Sequence, residues 1–457
     1  MAFRMKILFI SLGCDKNLVD SEKMLGLLRR EGHSFTDDEQ EAEAVIINTC
    51  CFIGDAKEES VNTILEMAQL KEDGCCRVLI VTGCMAQRYQ QEIFEEIPEV
   101  DGIVGTSAYE EIGAVLRKAM EDGGQVSCFQ DLNKPLCSPG QDKRGQAGRV
   151  VTTGGHYAFL KIAEGCDKHC TYCIIPSLRG SYRSVPMGQL VEEARKLAGE
   201  GVRELILVAQ ETTLYGVDLY GKKALPDLLR QLAAISGIHW IRLQYCYPEE
   251  VTDELIAAIK EEEKVCHYLD IPIQHASDRI LRQMGRRTNQ ASIRHTVEKL
   301  RREIPDIALR TTMISGFPGE TQKDHEELLD FVEEMEFERL GVFAYSSEED
   351  TPAASFPDPV PEDAKEARRD EVMALQQEIA FEKSQSMVGR VLDVMIEGKV
   401  ADEPAYVART YMDAPDVDGY LFVNSEETFL SGDFVRVKVT GATEYDLMGE
   451  VYHESAE

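Results

Sequence analysis

The stretch Gly165-Cys166-Asp167-Lys168-His169-Cys170-Thr171-Tyr172-Cys173 decides how this chain is organised. Its three cysteines have the spacing C-x3-C-x2-C and follow the apolar run Tyr157–Ile162, which predicts a short buried strand. A strand that ends in such a loop brings three thiolates to one point. Three thiolates can hold three irons of a 4Fe–4S cube, and the fourth iron then stays open to an outside molecule.

Other uses of three close cysteines fit this stretch less well. A structural zinc site needs four nitrogen or sulfur ligands, usually in closely spaced cysteine pairs. A ferredoxin motif supplies a fourth cysteine. Three buried cysteines without a role are disfavoured because Lys168 and His169 beside them are hard to place in an apolar core.

The cysteine spacing, with Tyr172 before the third cysteine, resembles that of the radical S-adenosylmethionine (SAM) superfamily. The resemblance implies that the open iron is chelated by the amino and carboxylate groups of SAM. An electron from the cluster then cleaves SAM to a 5′-deoxyadenosyl radical. The protein's part is to position the cofactor and to exclude water.

The composition of the chain limits the cellular locations and the binding partners to be expected. The chain has 457 residues, thirteen cysteines and a net charge of −33. We expect no membrane span, no signal peptide and a cytoplasmic location, where thiols serve metals or chemistry more than disulfides. The acidity disfavours a phosphate backbone as partner and favours a basic protein. Acidity that serves only solubility is the alternative.

Residues 1–140 are predicted to form an α/β domain with a parallel sheet, because apolar strands alternate with amphipathic helices. Three predicted strands end in cysteines, at Cys14, Cys50 and Cys84. We expect these thiols to meet at one edge of the sheet, as three ligands of a second cluster would. The alternative is coincidence in a cysteine-rich chain. The remaining cysteines are predicted to be core or incidental residues: Cys51, Cys75, Cys76, Cys128, Cys137, Cys246 and Cys266.

Residues 141–154 are predicted to be a linker, and residues 155–385 to form six β/α units. Six units are too few to close an eight-stranded barrel, so we expect a partial barrel. Its chemistry should lie at the carboxyl ends of the strands.

Two stretches at those strand ends are candidate SAM contacts. Gln210 and Glu211 follow one strand, where the superfamily places a polar segment that meets the SAM amino group. Gly316, Pro318 and Gly319 follow another strand, and their glycines allow a flat ligand such as adenine to approach. Tyr172 is grouped with these cofactor-binding residues. An ordinary polar loop and a Gly-Pro turn that caps the next helix are the respective alternatives. For His275, a position facing the cavity and a structural hydrogen bond both remain open.

Residues 386–457 alternate with period two between glycine turns, which predicts a small antiparallel barrel. This segment holds fifteen Asp and Glu residues against five Lys and Arg residues. Such a charge disfavours nucleic acid as a direct substrate and favours a basic protein.

The combination of three strand-end cysteines, the C-x3-C-x2-C loop and a terminal barrel resembles the methylthiotransferases, which replace C–H with C–S–CH3. The segments Ser11–Glu22, Ile174–Gly180 and Ala209–Gly216 are most similar to the branch that modifies an aspartate of small-subunit ribosomal protein S-twelve. The resemblance implies a TRAM-type, OB-like terminal barrel. It also implies that Cys14, Cys50 and Cys84 hold an auxiliary 4Fe–4S cluster, and that Cys166, Cys170 and Cys173 hold the SAM-cleaving 4Fe–4S cluster. Cys51 stands where this family more often has glycine, and we predict that Cys50 is the ligand.

The implied reaction uses two SAM molecules and an electron donor, and no catalytic residue is assigned beyond the clusters. One SAM methylates sulfur held at the auxiliary cluster. The other gives the radical that abstracts hydrogen from the aspartate β-carbon, which then takes the methylthio group. Two alternatives stay open: a tRNA adenosine methylthiotransferase, which should carry a more basic terminal barrel, and a non-catalytic iron–sulfur scaffold, which has no need of a SAM pocket.

Overall fold

The computed structural model describes residues 4–136 and 148–453. The chain divides into two compact units, and each is described by itself. The first comprises Met1–Thr152, Ala163–Val185 and Ser346–Ala354, and the second comprises Thr153–Ile162, Pro186–Tyr345 and Ser355–Glu457. Cys137 and residues 141–147 of the predicted linker lie outside the described residues.

The strands are, in chain order, β1 Lys6–Ser11, β2 Ser34–Phe35, β3 Ala44–Thr49, β4 Val78–Gly83, β5 Gly102–Val104, β6 Val126–Cys128, β7 Tyr157–Lys161, β8 Ala163–Glu164, β9 Arg183–Ser184, β10 Glu204–Val208, β11 Trp240–Leu243, β12 Val265–Asp270, β13 Ala308–Ser315, β14 Arg339–Ala344, β15 Val391–Lys399, β16 Ala405–Thr410, β17 Leu421–Asn424, β18 Phe434–Ala442 and β19 Leu447–Val451.

The helices are α1 Asp15–Glu31, α2 Gly54–Asp73, α3 Cys84–Tyr89, α4 Gln91–Glu96, α5 Ile112–Asp122, α6 Ile175–Arg179, α7 Met187–Gly199, α8 Val217–Tyr220, α9 Leu225–Ala233, α10 Asp253–Glu261, α11 Asp278–Gln283, α12 Gln290–Glu303, α13 Gln322–Met335 and α14 Glu362–Ser386. No helix in the described ranges is long and apolar enough to cross a membrane.

The first unit is built on a six-stranded parallel sheet in the order β2-β1-β3-β4-β5-β6, as predicted for this part of the chain. Side chains alternate between its faces, so neighbours in β3 enter different cores. Ile46 packs with residues of α1 and α5, whereas Ile47 packs with residues of α2, α3 and α6. The short strands β2, β5 and β6 were not predicted, because two or three residues show no resolvable alternation.

The second unit contains an open parallel sheet in the order β14-β13-β12-β11-β10-β7. This confirms the prediction of six parallel strands that form a partial barrel. The strands β10 and β11 are buried along their full length, as expected for a sheet covered by helices.

The strands β15–β19 form a closed five-stranded barrel in the order β15-β16-β17-β19-β18. The predicted small barrel is therefore confirmed, with one difference in topology. The pair β17–β19 is parallel, whereas the other neighbours are antiparallel. The last strand, β19, was not predicted.

Buried ion pairs join this barrel to the amino-terminal half of the open sheet. Glu204, at the start of β10, binds Arg242 at 2.7 Å and Arg409 of β16 at 2.6 Å, and all three side chains are buried. Arg339, at the start of β14, donates to Asp413 at 3.1 Å. The barrel thus packs against the amino-terminal ends of the sheet strands, on the side opposite their carboxyl ends.

Candidate iron–sulfur and SAM site

The three strand-end cysteines of the first unit follow neighbouring strands of one parallel sheet. Cys14 follows β1 and caps the amino terminus of α1, Cys50 follows β3, and Cys84 follows β4 as the first residue of α3. Because these strands are adjacent and parallel, their carboxyl ends meet at one edge. Cys50 and Cys84 are buried, and Cys14 is exposed.

Two glycines permit the close approach of these loops. A Cβ added at Gly13 would lie 2.6 Å from Cβ of Cys50 and 3.0 Å from its Sγ. Gly83 has a φ of +91°, and a Cβ there would meet the Thr49 carbonyl oxygen at 2.5 Å. Both positions require glycine for the cysteines to converge as they do.

The thiols influence one another's protonation. Burial and then the charge of Cys84 raise the pKa of Cys50 to about 12, and Cys14 adds to the effect. Burial also raises the pKa of Cys84, while the neighbouring Arg179 opposes that change. These thiols must lose protons before they bind metal, so metal binding would release protons here.

Cys50 and Cys51 occupy different environments. The backbone N–H of Cys50 donates to Ser60 Oγ at 3.1 Å, and Ser60 donates to the Cys50 carbonyl oxygen at 2.8 Å. Cys51 is fully buried in the apolar cluster between the sheet and α2. A Cβ added at Gly13, the residue before Cys14, would lie 3.0 Å from Sγ of Cys50, so the Cys14 loop lies against Cys50. Burial and then the charge of Cys84 raise the pKa of both Cys50 and Cys51. The surroundings of Cys50 suit a ligand shared with Cys14, and those of Cys51 suit a core residue.

The C-x3-C-x2-C loop runs between β8 and α6, and the short antiparallel pair β8–β9 closes its base. The backbone N–H of Cys166 donates to the Gly180 carbonyl at 3.1 Å, and that of Cys173 donates to the Cys170 carbonyl at 3.0 Å. The backbone N–H of Lys168 points at Sγ of Cys166 at 3.4 Å. Burial, together with the charges of the Cys170 and Cys166 thiols, raises the pKa of Cys173 to about 12.

The positive φ of Gly165 lets the chain enter this loop. A Cβ at this residue would lie 2.2 Å from the Ser181 carbonyl oxygen, so any other residue would force the two strands of the loop base apart.

Arg179 joins the cysteine loop to the strand-end cysteines within the first unit. It ends α6, and its Nη2 donates to Sγ of Cys84 at 3.4 Å and to Oδ1 of Asn17. Its Nη1 donates to Asp20 at 2.8 Å and to Glu164 at 3.3 Å. Burial acts to lower the pKa of Arg179, but Cys84, Glu164 and Asp20 outweigh it and raise the pKa well above its usual value. No role for Arg179 was predicted from sequence, because nothing in its local pattern indicates that it contacts Cys84.

The chemistry of both cysteine sets fits iron–sulfur clusters, because soft thiolates are the ligands that such clusters use. Across the described residues, no three His, Cys, Asp or Glu side chains converge tightly enough for a single metal ion. Each set offers three thiols.

Gln210 and Glu211 follow β10, as predicted. The side chain of Glu211 is fully buried, and its Oε1 accepts the backbone N–H of Thr213 at 2.9 Å. It therefore stabilises its own loop, whereas Gln210 is half-buried. Tyr172, in the first unit, is also half-buried. Contact of these residues with SAM stays a prediction.

Glu320 holds the loop that contains Gly316, Pro318 and Gly319. Its Oε2 accepts the backbone N–H groups of Gly316 at 2.7 Å and Phe317 at 3.1 Å, and its Oε1 accepts from Arg368 at 2.9 Å. A Cβ at Gly316 would lie 2.3 Å from Cγ of Lys365, so this side chain takes the space that the glycine leaves. A SAM contact by this loop stays a prediction.

His275 has structural contacts. It is fully buried, its Nδ1 accepts the backbone N–H of Ser277 at 2.9 Å, and its Nε2 lies 3.5 Å from Glu320. These contacts favour the structural alternative of the two left open by the sequence.

Three family models match the chain. Residues 6–105 match the uncharacterised protein family UPF0004, residues 160–332 match the radical SAM superfamily, and residues 388–451 match the TRAM domain. These matches follow the first parallel sheet, the open sheet and the closed barrel.

Curated relatives cover almost the whole chain. A protein of Lachnoclostridium phytofermentans named ribosomal protein uS12 methylthiotransferase RimO is 61% identical over 97% of this chain and 99% of its own length. The protein of the same name from Clostridioides difficile is 47% identical over 99% of this chain and 100% of its own length.

Among solved structures, the radical SAM methyltransferase TsrM of Kitasatospora setae, with cobalamin and a [4Fe-4S] cluster bound, is similar in fold. It aligns with a TM-score of 0.55 and 14% identity over 77% of this chain and 74% of its own length.

Proposed function

This chain belongs to the RimO family of radical SAM methylthiotransferases, and we propose that it methylthiolates the β-carbon of an aspartate in ribosomal protein uS12. The observation that carries the proposal is the presence of two three-cysteine sets in one compact unit, where Arg179, six residues after Cys173, donates to Cys84 of the other set. One cluster would suffice to cleave SAM. A second set of thiols beside the first supports a reaction that also delivers sulfur.

The proposed ligands are Cys14, Cys50 and Cys84 for an auxiliary 4Fe–4S cluster, and Cys166, Cys170 and Cys173 for the SAM-cleaving 4Fe–4S cluster. When bound, these groups supply the radical and sulfur chemistry. The protein's own part is to hold the thiols at fixed positions. Gly13, Gly83 and Gly165 let the loops turn closely enough to do so.

Gln210 and the loop Gly316–Gly319 are proposed to contact SAM. Glu211 and Glu320 fix the conformations of those two loops by accepting backbone hydrogen bonds. Glu211 holds the turn at Thr213, and Glu320 holds the backbone of Gly316. Locked loops lower the entropic cost of positioning a cofactor. We propose two SAM molecules per turnover, one as methyl donor and one as radical source.

The substrate is proposed to be a basic protein that meets the barrel. Several barrel carboxylates are not available to a partner because they already bind basic side chains of this chain. Glu397 binds both His156 and Arg409. Asp413 binds Arg339, and Asp418 binds Arg310. The remaining acidity includes Asp402, Glu403 and Glu426, which line one groove of about 460 Å³. Glu427 also lines this groove, but its carboxylate lies 3.0 Å from His453 of the same chain. This groove is the proposed contact for basic residues of uS12.

The testing experiment is a competition between two substrates. The protein is purified without oxygen, its clusters are rebuilt, and it receives SAM, sulfide and a reductant together with uS12 and bulk tRNA. We expect a methylthio mass on an aspartate of uS12. A methylthio mass on tRNA adenosine would replace this proposal with the tRNA branch, and no SAM cleavage at all would support a non-catalytic scaffold.

Matched cysteine variants separate the two proposed clusters. Cys14→Ala should abolish methylthiolation while SAM cleavage to 5′-deoxyadenosine continues, and Cys173→Ala should abolish both. Cys75→Ala is the control, because Cys75 is an exposed cysteine outside both sets. Full methylthiolation by the Cys14 variant would contradict the proposed auxiliary site.

A further inference from the structure

Arg179 is a buried cation that directly contacts a proposed cluster ligand. Its side chain is 3% exposed, and the guanidinium donates to Sγ of Cys84 at 3.4 Å. On its other side it binds the carboxylates of Asp20 at 2.8 Å and Glu164 at 3.3 Å. The planar fork of arginine allows these contacts at the same time, which a lysine ammonium cannot reproduce.

The position of Arg179 is fixed by the contacts of α6, the short helix that it ends. The helix α6 begins at Ile175, two residues after Cys173, and Leu178 packs into the apolar cluster that also contains Cys84. The Thr106 hydroxyl donates to the Leu178 carbonyl oxygen at 2.7 Å and holds the end of this helix. These contacts hold the guanidinium beside Cys84, and they do not involve the side chains of Cys166, Cys170 and Cys173.

The charges around Arg179 matter for a bound cluster. Three thiolates bring negative charge to a site that already contains Asp20 and Glu164. A hydrogen bond to a ligand sulfur and a nearby positive charge both favour the reduced form of a cluster, because they offset the added electron. Arg179 supplies both to Cys84.

We infer that Arg179 is a positioning residue that holds Cys84 and raises the reduction potential of the cluster bound by Cys14, Cys50 and Cys84. The inference rests on the proposed function, since it requires the auxiliary cluster. It assigns to α6 the task of connecting the SAM-cleaving loop with the sulfur-delivering site.

The test uses the full chain with Cys166, Cys170 and Cys173 all replaced by Ala, so that only the auxiliary cluster can form. Arg179→Gln and Arg179→Lys are added to this background. The midpoint potential is measured by redox titration followed by electron paramagnetic resonance, and the iron content is measured in parallel. Arg183→Gln is the matched control, because Arg183 hydrogen bonds to the Arg179 and Lys134 carbonyls and also loses a charge.

We expect Arg179→Gln to lower the ratio of reduced to oxidised cluster at a fixed potential about tenfold, which corresponds to roughly 59 mV for a one-electron couple. Arg179→Lys keeps the charge and loses the planar fork, so a smaller shift in the same direction is expected. If Arg179→Gln does not fold, the direction of the change in midpoint potential is decided by Arg179→Lys alone.

An unchanged potential in folded, iron-loaded variants of Arg179 would overturn the inference and leave the proposed function standing. An equal shift in Arg183→Gln would also overturn it, since the effect would then be one of net charge alone. Failure of the triple-alanine background to bind any iron would overturn the auxiliary cluster of the proposed function, and the inference with it.

Discussion

The carboxylate of Glu204 and the guanidinium of Arg409 form a fully buried ion pair, 2.6 Å long, between the open sheet and the terminal barrel. Arg242 shares the same carboxylate at 2.7 Å. Removing one member leaves an uncompensated buried charge, whereas the intact group contributes little net free energy to stability. This group is therefore a sensitive point of the contact between barrel and sheet.

Arg409→Ala should destabilise the docked barrel by about 3–5 kcal/mol, because it leaves Glu204 and Glu397 without this partner. Urea unfolding followed by tryptophan fluorescence measures the effect. The chain has one tryptophan, Trp240, whose ring packs edge-on against Phe434 of the barrel at 4.8 Å. Its emission therefore reports on this contact.

The control for that experiment is Arg390→Ala, since Arg390 is exposed at the start of the barrel. Its urea midpoint should correspond to a change within about 0.5 kcal/mol of the parent. Equal midpoints for Arg409→Ala and the parent would contradict a structural role for the ion pair.

Stability should fall in acid partly through Glu204. Burial acts to raise the pKa of this carboxyl group, but Arg409 and Arg242 outweigh burial and lower the pKa below its usual value of 4.5. A carboxyl group with a lowered pKa stabilises the folded state above its unfolded pKa, and this contribution is lost as the pH falls through the folded value.

Glu204→Gln removes this titration and provides the comparison. The difference in unfolding free energy between parent and variant should be constant above about pH 5 and should shrink as the pH falls below about 4.3. Urea titrations at several pH values measure it. If the difference in unfolding free energy stays constant at every pH below about 4.3 at which the protein remains folded, Glu204 does not titrate as expected.

The neighbouring cysteines Cys50 and Cys51 form a natural matched pair. Cys50→Ala should lose the iron of the auxiliary cluster, whereas Cys51→Ala should keep it, because Cys51 is fully buried in the apolar cluster. Iron content and electron paramagnetic resonance after anaerobic reconstitution distinguish the two. Retention of all iron by the Cys50 variant, with loss in the Cys51 variant, would reverse the assignment.

Glu320→Ala should weaken SAM binding without affecting the clusters. The variant leaves two buried backbone N–H groups and Arg368 without their acceptor. A lost buried hydrogen bond of about 1–3 kcal/mol corresponds to a rise in the KM for SAM of roughly tenfold or more. The rate of 5′-deoxyadenosine formation at varied SAM concentration gives the KM. The control is Glu333→Ala, because Glu333 is exposed. A KM for SAM that stays at the parent value in the Glu320 variant would disprove the proposed role of the Gly316–Gly319 loop in SAM binding.

Much of the architecture could be predicted from local patterns. Apolar runs such as those of β3 and β4 are buried on both faces of a parallel sheet, so their residue types indicate the sheet directly. The prediction of the six-stranded partial barrel was confirmed for the same reason. The closed terminal barrel was confirmed because its strands alternate between buried and exposed residues, as β17 does. The strand β19 was missed, and its parallel pairing with β17 could not be predicted because no local pattern specifies a partner.

The role of the acidic residues in the terminal barrel was harder to predict. The acidity of the terminal segment indicated a partner protein, yet Glu397, Asp413 and Asp418 bind basic side chains of the same chain. Composition counts charges and does not distinguish a carboxylate in a buried ion pair from one that faces solvent.

The sequence by itself determined the cysteine spacing and the strand-end positions of Cys14, Cys50 and Cys84, because both depend on residues close along the chain. Only the tertiary structure decided that Arg179 reaches Cys84, from which it is separated by 95 positions, and that Glu320 holds the Gly316 loop from below. Contacts of this kind depend on the path of the whole backbone, and short-range patterns of residue types carry no information about that path.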